Sequence, residues 1–327
     1  MKRPVRFRFS LPAISVAAAL LAGCGGSQLV GSADRPISPS ATSWMTPGAK
    51  KQSSLLYVSN DGTASVTVYT YFDGAGLILV GTLTGFSRPK GMCTDRAGDV
   101  WLVDEGTRKL YEYAHGGTKP IFTIHEVGSS DPIACAVDPN TGDLAVANQF
   151  PNAHYYEQGN VKIYHPGSHT GTKYGMGFMQ VEFLTFDNHG NLFVDGLPTD
   201  PYGYGNGPLV EIPSGGKELI NLTVNGGELD SPRAIQWINP TLLVGDREEN
   251  TLFAYKFFVS GSVATVVGKL PFANTLDTYG FWRRADKVVV PDWSGDVVRV
   301  YSLSDGTLYG SVTDNVSKPF AAVISQP

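Results

Sequence analysis

KGMCTDRAGDVWLVDEGTRKLYEY, residues 90–113, is the unit from which the rest of the chain is built. It reads as a short apolar strand, a turn at Asp95-Arg96-Ala97-Gly98, and a solidly apolar strand of Val100, Trp101, Leu102 and Val103. An acidic turn at Asp104 and Glu105 follows, then an alternating strand carrying Leu110, Tyr111 and Tyr113. An Asp opening such a turn bonds the backbone two residues on, and a Gly closing it supplies positive φ, so the first two strands read as a tight hairpin.

The apolar second strand recurs. Runs begin at Leu55, Val100, Leu144, Leu192, Leu242 and Val288, at intervals of 45, 44, 48, 50 and 46 residues. Six copies at a near-constant period imply stacked supersecondary units. The runs are continuous rather than alternating, as expected of strands covered on both faces. Hairpin turns precede them at Asp138-Pro139-Asn140-Thr141-Gly142 and Asp187-Asn188-His189-Gly190, and degenerate at Asn239-Pro240 and Ala285-Asp286. Third strands are expected at 66–71, 110–113, 161–164, 209–212, 252–255 and 297–301. Fourth strands are expected at 78–83, 121–124, 219–224, 263–270 and 308–312, with a weak one somewhere in 174–179.

Six units of four antiparallel strands predict an all-β fold, a six-bladed β-propeller occupying residues 53–327 as a single domain. The chain reaches its first apolar run without a first strand, and Pro319-Phe320-Ala321-Ala322 near the end matches Pro132-Ile133-Ala134-Cys135. The C-terminal segment is therefore expected to supply the innermost strand of the first blade. The pattern of proline, small apolar strand, Asp-x-x-Gly, apolar strand and an alternating strand ending in Tyr resembles the NHL repeat and its gluconolactonase- and streptogramin-lyase-like six-bladed relatives. That superfold hosts enzymes, scaffolds and receptors alike, so function must be argued from a site.

Residues 1–23 read as a signal peptide: a basic start at Lys2, Arg3, Arg6 and Arg8, then a short apolar core. Leu21-Ala22-Gly23-Cys24 resembles a bacterial lipobox. The resemblance implies cleavage before Cys24, lipidation of its sulfur and stable anchoring by two acyl chains. Gly25 rather than Asp after the cysteine points, by the same resemblance, to the outer membrane if the host is Gram-negative. Residues 24–52, poor in sizeable apolar side chains, read as a flexible tether. The whole chain holds 25 basic and 30 acidic residues, and losing the four basic residues of 1–23 leaves 21 against 30, a net charge of −9. That sign argues against nucleic acid as a partner. A monomer is expected.

Strands one and two are antiparallel, so the loops entering strand one and leaving strand two share a face around the channel mouth. The first set offers Lys90, Asp131, Glu182, Arg233, Tyr279 and Trp282; the second offers Asn148, Asp195, Asp246, Asp292 and Trp293. Two longer loops on that face add His154 and Tyr155, and Tyr202 and Tyr204. Convergent polar and aromatic groups of this kind suit a protein, peptide or carbohydrate ligand. No catalytic or metal-binding set and no cofactor is assigned. The alternative is a metal-dependent lactonase-like hydrolase, in which Asn148, Glu182, Asp195 and Asp246 would surround a divalent cation such as calcium. Cys93 and Cys135 fall at opposite parity when Asp95 is aligned with Asp138, and are expected to be buried free thiols.

Overall fold

A strand that is apolar on both faces needs a neighbour on each side. The chain meets this need by standing its sheets around a common axis. The structure is a computed structural model that describes residues 42–72, 76–126, 130–151, 158–178, 180–197, 207–248 and 251–327. Cys24, His154, Tyr155, Tyr202 and Tyr204 lie outside the described residues, as does the lipobox.

Among the described residues there are six sheets, each built on an antiparallel four-stranded blade from axis to rim; two carry a fifth strand, and in all but the first the four blade strands are consecutive in sequence. Blade 2 shows the pattern: Pro89–Thr94, Val100–Asp104, Lys109–Tyr113 and Pro120–His125. The second strands Leu55–Asn60, Val100–Asp104 and Lys287–Asp292 are buried at every position. Each blade interface forms its own apolar cluster. Leu55, Tyr57, Val100 and Leu102 pack between blades 1 and 2, and Val58, Tyr69, Val298 and Val300 between blades 6 and 1. The hairpin glycines have the left-handed backbone their turns require, with φ of 80° at Gly98, 77° at Gly142 and 83° at Gly190. The opening aspartates accept backbone N–H bonds as expected: Asp138 from Asn140 at 2.7 Å, and Asp187 from His189 at 2.8 Å.

The ring closes through the C-terminal strand Pro319–Ser325, which pairs antiparallel with Leu55–Asn60 as the innermost strand of blade 1. All seven of its residues are buried. Its end is tied to blade 2. Ser325 Oγ lies 2.6 Å from His115 Nδ1 and donates to the Gly98 carbonyl, and Gln326 donates to Ser54 Oγ at 2.6 Å. A Cβ on Gly98 would sit 2.3 Å from the Gln326 carbonyl oxygen, so this contact needs glycine twice over, for space and for φ.

Three strands differ from the sequence reading. Trp44–Met45, placed in the tether, pairs with Thr82 and Gly81 as a fifth strand on the rim of blade 1, and the Gln52 carbonyl accepts from His115 Nε2 at 2.9 Å. Composition misses this segment because it contributes backbone hydrogen bonds to an open sheet edge more than apolar bulk. The fourth strand expected at 219–224 is split: Ile220–Asn221 completes blade 4, while Thr223–Asn225 crosses to pair in parallel with Val263–Phe272 on blade 5. Blade 3 ends in Gly171–Gly175 rather than within 174–179, its mostly exposed side chains offering no apolar signal.

Cys93 and Cys135 form a disulfide, with Cα atoms 5.7 Å apart, in place of the expected free thiols. Opposite parity brings these two side chains together rather than apart. Equivalent positions in a rotational repeat all point the same way around the axis, so side chains of opposite parity on neighbouring blades face one another. Both sulfurs lie in the cluster between blades 2 and 3, with Trp101, Val103, Leu144 and Val146.

Two outcomes follow. Deleting residues 318–327 strips blade 1 of its inner strand. Phe320, Val323 and Ile324 alone represent roughly 1.5–3 kcal/mol each of burial, a sum comparable with the roughly 5–15 kcal/mol that holds an ordinary domain together. The truncated protein is expected to show no cooperative melting transition by circular dichroism. The Cys93→Ala, Cys135→Ala double variant opens a loop of 42 residues, and is expected to lose about 4 kcal/mol relative to the oxidised protein in urea denaturation. Reduction of the wild type should reproduce that loss, and leave the double variant unchanged.

Candidate functional site

In five of the six blades, the pairing of the inner strand with the second strand slips at the same place. The slip falls at Lys90–Gly91, Ile133, Glu182–Phe183, Arg233 and Phe320. In blade 6 the equivalent residue, Tyr279, stands just before the strand Trp282–Arg284. A β-bulge places one residue outside the ladder and re-aims its side chain. Here Lys90, Ile133, Glu182, Arg233 and Phe320 from the bulges, with Tyr279, form a ring around the channel mouth, lining a cavity of about 390 Å³.

Outside this ring stands a second one that is wholly structural. Asn60, Asp104, Asn148, Asp195, Asp246 and Asp292, each at or near the end of a second strand, are 0% exposed. Most spend their side-chain oxygens on the loop leading into their own blade. Asp104 accepts from Ser87 N and Arg88 N, Asp246 from Asp230 N and Ser231 N, Asp292 from Leu276 N and Asp277 N, and Asn60 from Ser317 N. Asp195 accepts from Phe183 N at 2.8 Å, within the bulge itself. Asn148 donates to Asn160 Oδ1 at 3.2 Å. The side chains of this ring hold the bulges in place and are removed from the cavity.

Half of the mouth is a continuous stack. The Lys90 ammonium lies 4.6 Å from the Phe320 ring, Phe320 stacks on Tyr279 at 4.8 Å, and the Arg233 guanidinium lies 5.0 Å from Tyr279 on the far side. Cations on aromatic faces in a partly dry site are held by the ring quadrupoles. Phe320 also stacks with Phe183 at 6.3 Å. These two belong to blades 1 and 4, which are diametrically opposite, so the pair bridges the channel. Beneath it the inner strands line a separate, more apolar cavity of about 200 Å³ that includes Ala134, Ala234, Gly280 and Trp282.

The charges of the mouth divide unequally. Lys90 and Arg88 share Asp61 and Glu105, with Lys90 to Asp61 at 3.3 Å and Arg88 to Glu105 at 3.1 Å. Glu182 is almost wholly buried and accepts from Gln149 Nε2 at 2.7 Å. Burial pushes its carboxyl up to about 7, against the opposing pull of Arg233, Gln149 and Lys90. Burial likewise raises Asp195 well above the usual carboxylate range, with Glu182 and Asp246 adding to the shift. Arg233 has no carboxylate within 4 Å among the described residues, and its buried Nε has no hydrogen-bond partner.

Of the residues singled out from sequence, Lys90, Glu182, Arg233, Tyr279 and Trp293 meet at the mouth. Asp131 instead pairs with Arg108 at 3.7 Å, and Asn148, Asp195, Asp246 and Asp292 belong to the buried structural ring. Trp282, expected at the mouth, lines the lower cavity, because blade 6 places Tyr279 at the ring position and Trp282 three residues further down the axis. Sequence reasoning missed Ile133 and Phe320, which occupy the same repeat position as Lys90, and did not separate Asn148 and Asp292 from their neighbours Gln149 and Trp293. The signal was available in strand alternation. Where the second-strand terminus Asn148 or Asp292 points into the blade stack, its successor, Gln149 or Trp293, points to the mouth. A third acidic group, Asp95, Asp99 and Glu112, has carboxylate oxygens within 4.8 Å of one another at the hairpin end of blade 2, away from the mouth.

The raised Glu182 fixes the sign of a pH effect. The unfolded carboxyl loses its proton above about 4.5 while the folded one keeps it to about 7, so this group's contribution to stability falls as pH rises through that window and is lowest above it. Glu182→Gln, which preserves an acceptor for Gln149, is expected to stabilise the protein at pH 8 by on the order of 3 kcal/mol and to change little at pH 4.5. Urea denaturation at the two pH values measures the difference.

No family model matches the chain, and no curated protein matches it. Solved structures do. The chain is similar to one in a crystal structure of a nidogen/laminin complex, at a TM-score of 0.66 and 11% identity, covering 83% of this chain and 98% of the other. A streptogramin B lyase structure aligns at a TM-score of 0.49 and 11% identity, covering 71% of this chain and 72% of the other. At such identity the likeness is one of fold: this chain is a six-bladed β-propeller closed by its C-terminal strand.

Proposed function

We propose that the protein is an exported, lipid-anchored binding module whose ligand, or a group presented by a protein, peptide or carbohydrate partner, docks in the channel mouth. The observation that carries this reading is the bulge ring: cationic, acidic, aromatic and aliphatic side chains are turned out of the ladder at one level, over a cavity blocked below by Phe183 and Phe320. A ring that served only to close the channel would need no charged side chain, and the level beneath it is lined by none. Concave sites with a few convergent polar groups in apolar walls are the general form of ligand pockets. Of the four side chains that a metal-dependent hydrolase would need, only Glu182 faces the cavity, and Asp195 and Asp246 are committed to backbone N–H groups. The geometry therefore favours binding over metal-assisted hydrolysis.

The anchoring part of the reading rests on Leu21-Ala22-Gly23-Cys24. Cys24→Ala is expected to move the protein from the membrane to the soluble fraction after a high-salt wash, with its melting temperature unchanged; retention in the membrane would refute the anchor. The binding part is tested by a thermal-shift screen of small molecules and peptides against the purified full-length protein. Hits are expected to weaken at least tenfold in Trp293→Ala and to be unaffected by His189→Ala, whose side chain is exposed on the opposite face. Equal loss in both variants would place the binding elsewhere.

A further inference from the structure

The cations at the rim are nearly all neutralised. Arg88 and Lys90 share Asp61 and Glu105, Arg108 pairs with Asp131, and Arg247 pairs with Asp277. Lys318, over the Trp293 ring at 4.7 Å, is exposed and solvated. Arg233 alone is half-buried, inside the cavity, with no acidic group in contact among the described residues. Its guanidinium carbon lies over the Tyr279 ring at 5.0 Å, and its Nε has no hydrogen-bond partner, so in-plane donors remain to be satisfied. An arginine half withdrawn from water without a salt bridge is costly unless something pairs with it.

The rest of the mouth narrows what that something is. Glu182 sits beside Arg233, close enough to interact with it electrostatically yet not bonded to it. A dianion such as a phosphate monoester would meet one free cation and one neighbouring carboxyl, whereas a single carboxylate matches the single vacant charge and the planar fork of arginine. The cavity is also lined by the polar Gln149 and Gln180, and its apolar part is made by Ile133, Leu197 and the edges of the Tyr279 and Phe320 rings, whose faces are already occupied. We propose that the channel mouth recognises a monocarboxylate carried on a flat apolar body, the carboxylate paired with the edge of Arg233 and the body lying against Ile133, Leu197 and the Tyr279–Phe320 edge. This deepens the reading of the mouth as a binding site and rests on it.

The test uses benzoate as the probe, benzamide as its neutral isostere and phenyl phosphate as the dianion. Each is titrated into the purified full-length protein and read by the indole N–H resonance of Trp293 at the mouth, with that of Trp282 reporting the lower cavity. Benzoate is expected to shift Trp293 and to bind roughly ten- to a hundredfold more tightly than benzamide, with phenyl phosphate weaker than benzoate. Arg233→Gln should erase the preference for benzoate, Arg233→Lys should retain part of it, and Arg283→Gln, at the opposite end of the inner strand, should leave it intact. Equal affinity for benzoate and benzamide at Trp293, or a preference that survives Arg233→Gln, would overturn the carboxylate inference while leaving the mouth as a binding site. Tighter binding of phenyl phosphate would overturn the choice of a monoanion. Perturbation of Trp282 alone, or of neither indole, would overturn both readings.

Discussion

A four-stranded blade with two apolar faces has no stable existence by itself, and everything in this molecule follows from giving each blade two neighbours. The requirement is circular: the first blade must be covered by the last. It is met by one strand, Pro319–Ser325, which pairs with Leu55–Asn60 and carries residues of two interfaces at once. Val323 packs toward blade 2, and Ala322 and Ile324 toward blade 6. The ends of the folded region are thereby joined by backbone hydrogen bonds rather than by side-chain contact alone. His115, bonded both to Ser325 and to the Gln52 carbonyl, draws the residues before blade 1 into the same junction.

Closure brings six inner strands close around the axis, and that crowding produces the site. Gly91 is an instance: a Cβ there would lie 2.6 Å from Ala134 Cα, so blades 2 and 3 approach at backbone distance. Side chains of any size cannot all point inward at such a level. The bulges resolve the conflict by lifting one residue per strand to the wider mouth, where Lys90, Glu182 and Arg233 have room. The buried Asp and Asn side chains behind them satisfy the backbone N–H groups that the bulged segments would otherwise leave unpaired. Scaffold and site are thus made by adjacent residues with opposite tasks. In Asp104-Glu105 and Asn148-Gln149 the first residue holds the loop and the second faces the cavity.

This division limited what could be read of the site beforehand. Residue type identifies Asp195, Asp246 and Asp292 as polar and close to the mouth, and by type alone they are better ligand candidates than Ile133 or Phe320. Strand alternation separates the two sets, but only when the pleat is continued one residue beyond the end of the apolar run. The parity of Cys93 and Cys135 was equally legible, and its consequence was not. Whether two side chains of opposite parity diverge or meet depends on whether their strands share a sheet or belong to facing sheets, which is a statement about the ring and not about either strand.

The sequence by itself determined the number of blades, the strands within them and the way the ring closes. These depend on local hydrophobic period, on turns whose Asp and Gly act within a few residues, and on a repeat that recurs regardless of what surrounds it. Tertiary structure alone decided that Trp44–Met45 joins the rim of blade 1, that the strand after blade 4 crosses to blade 5, that the two cysteines bond, and that Arg233 is left without a salt bridge among the described residues. Each of these is set by which distant group happens to lie within a few ångströms, and such distances are fixed only when six separately readable units are packed around one axis.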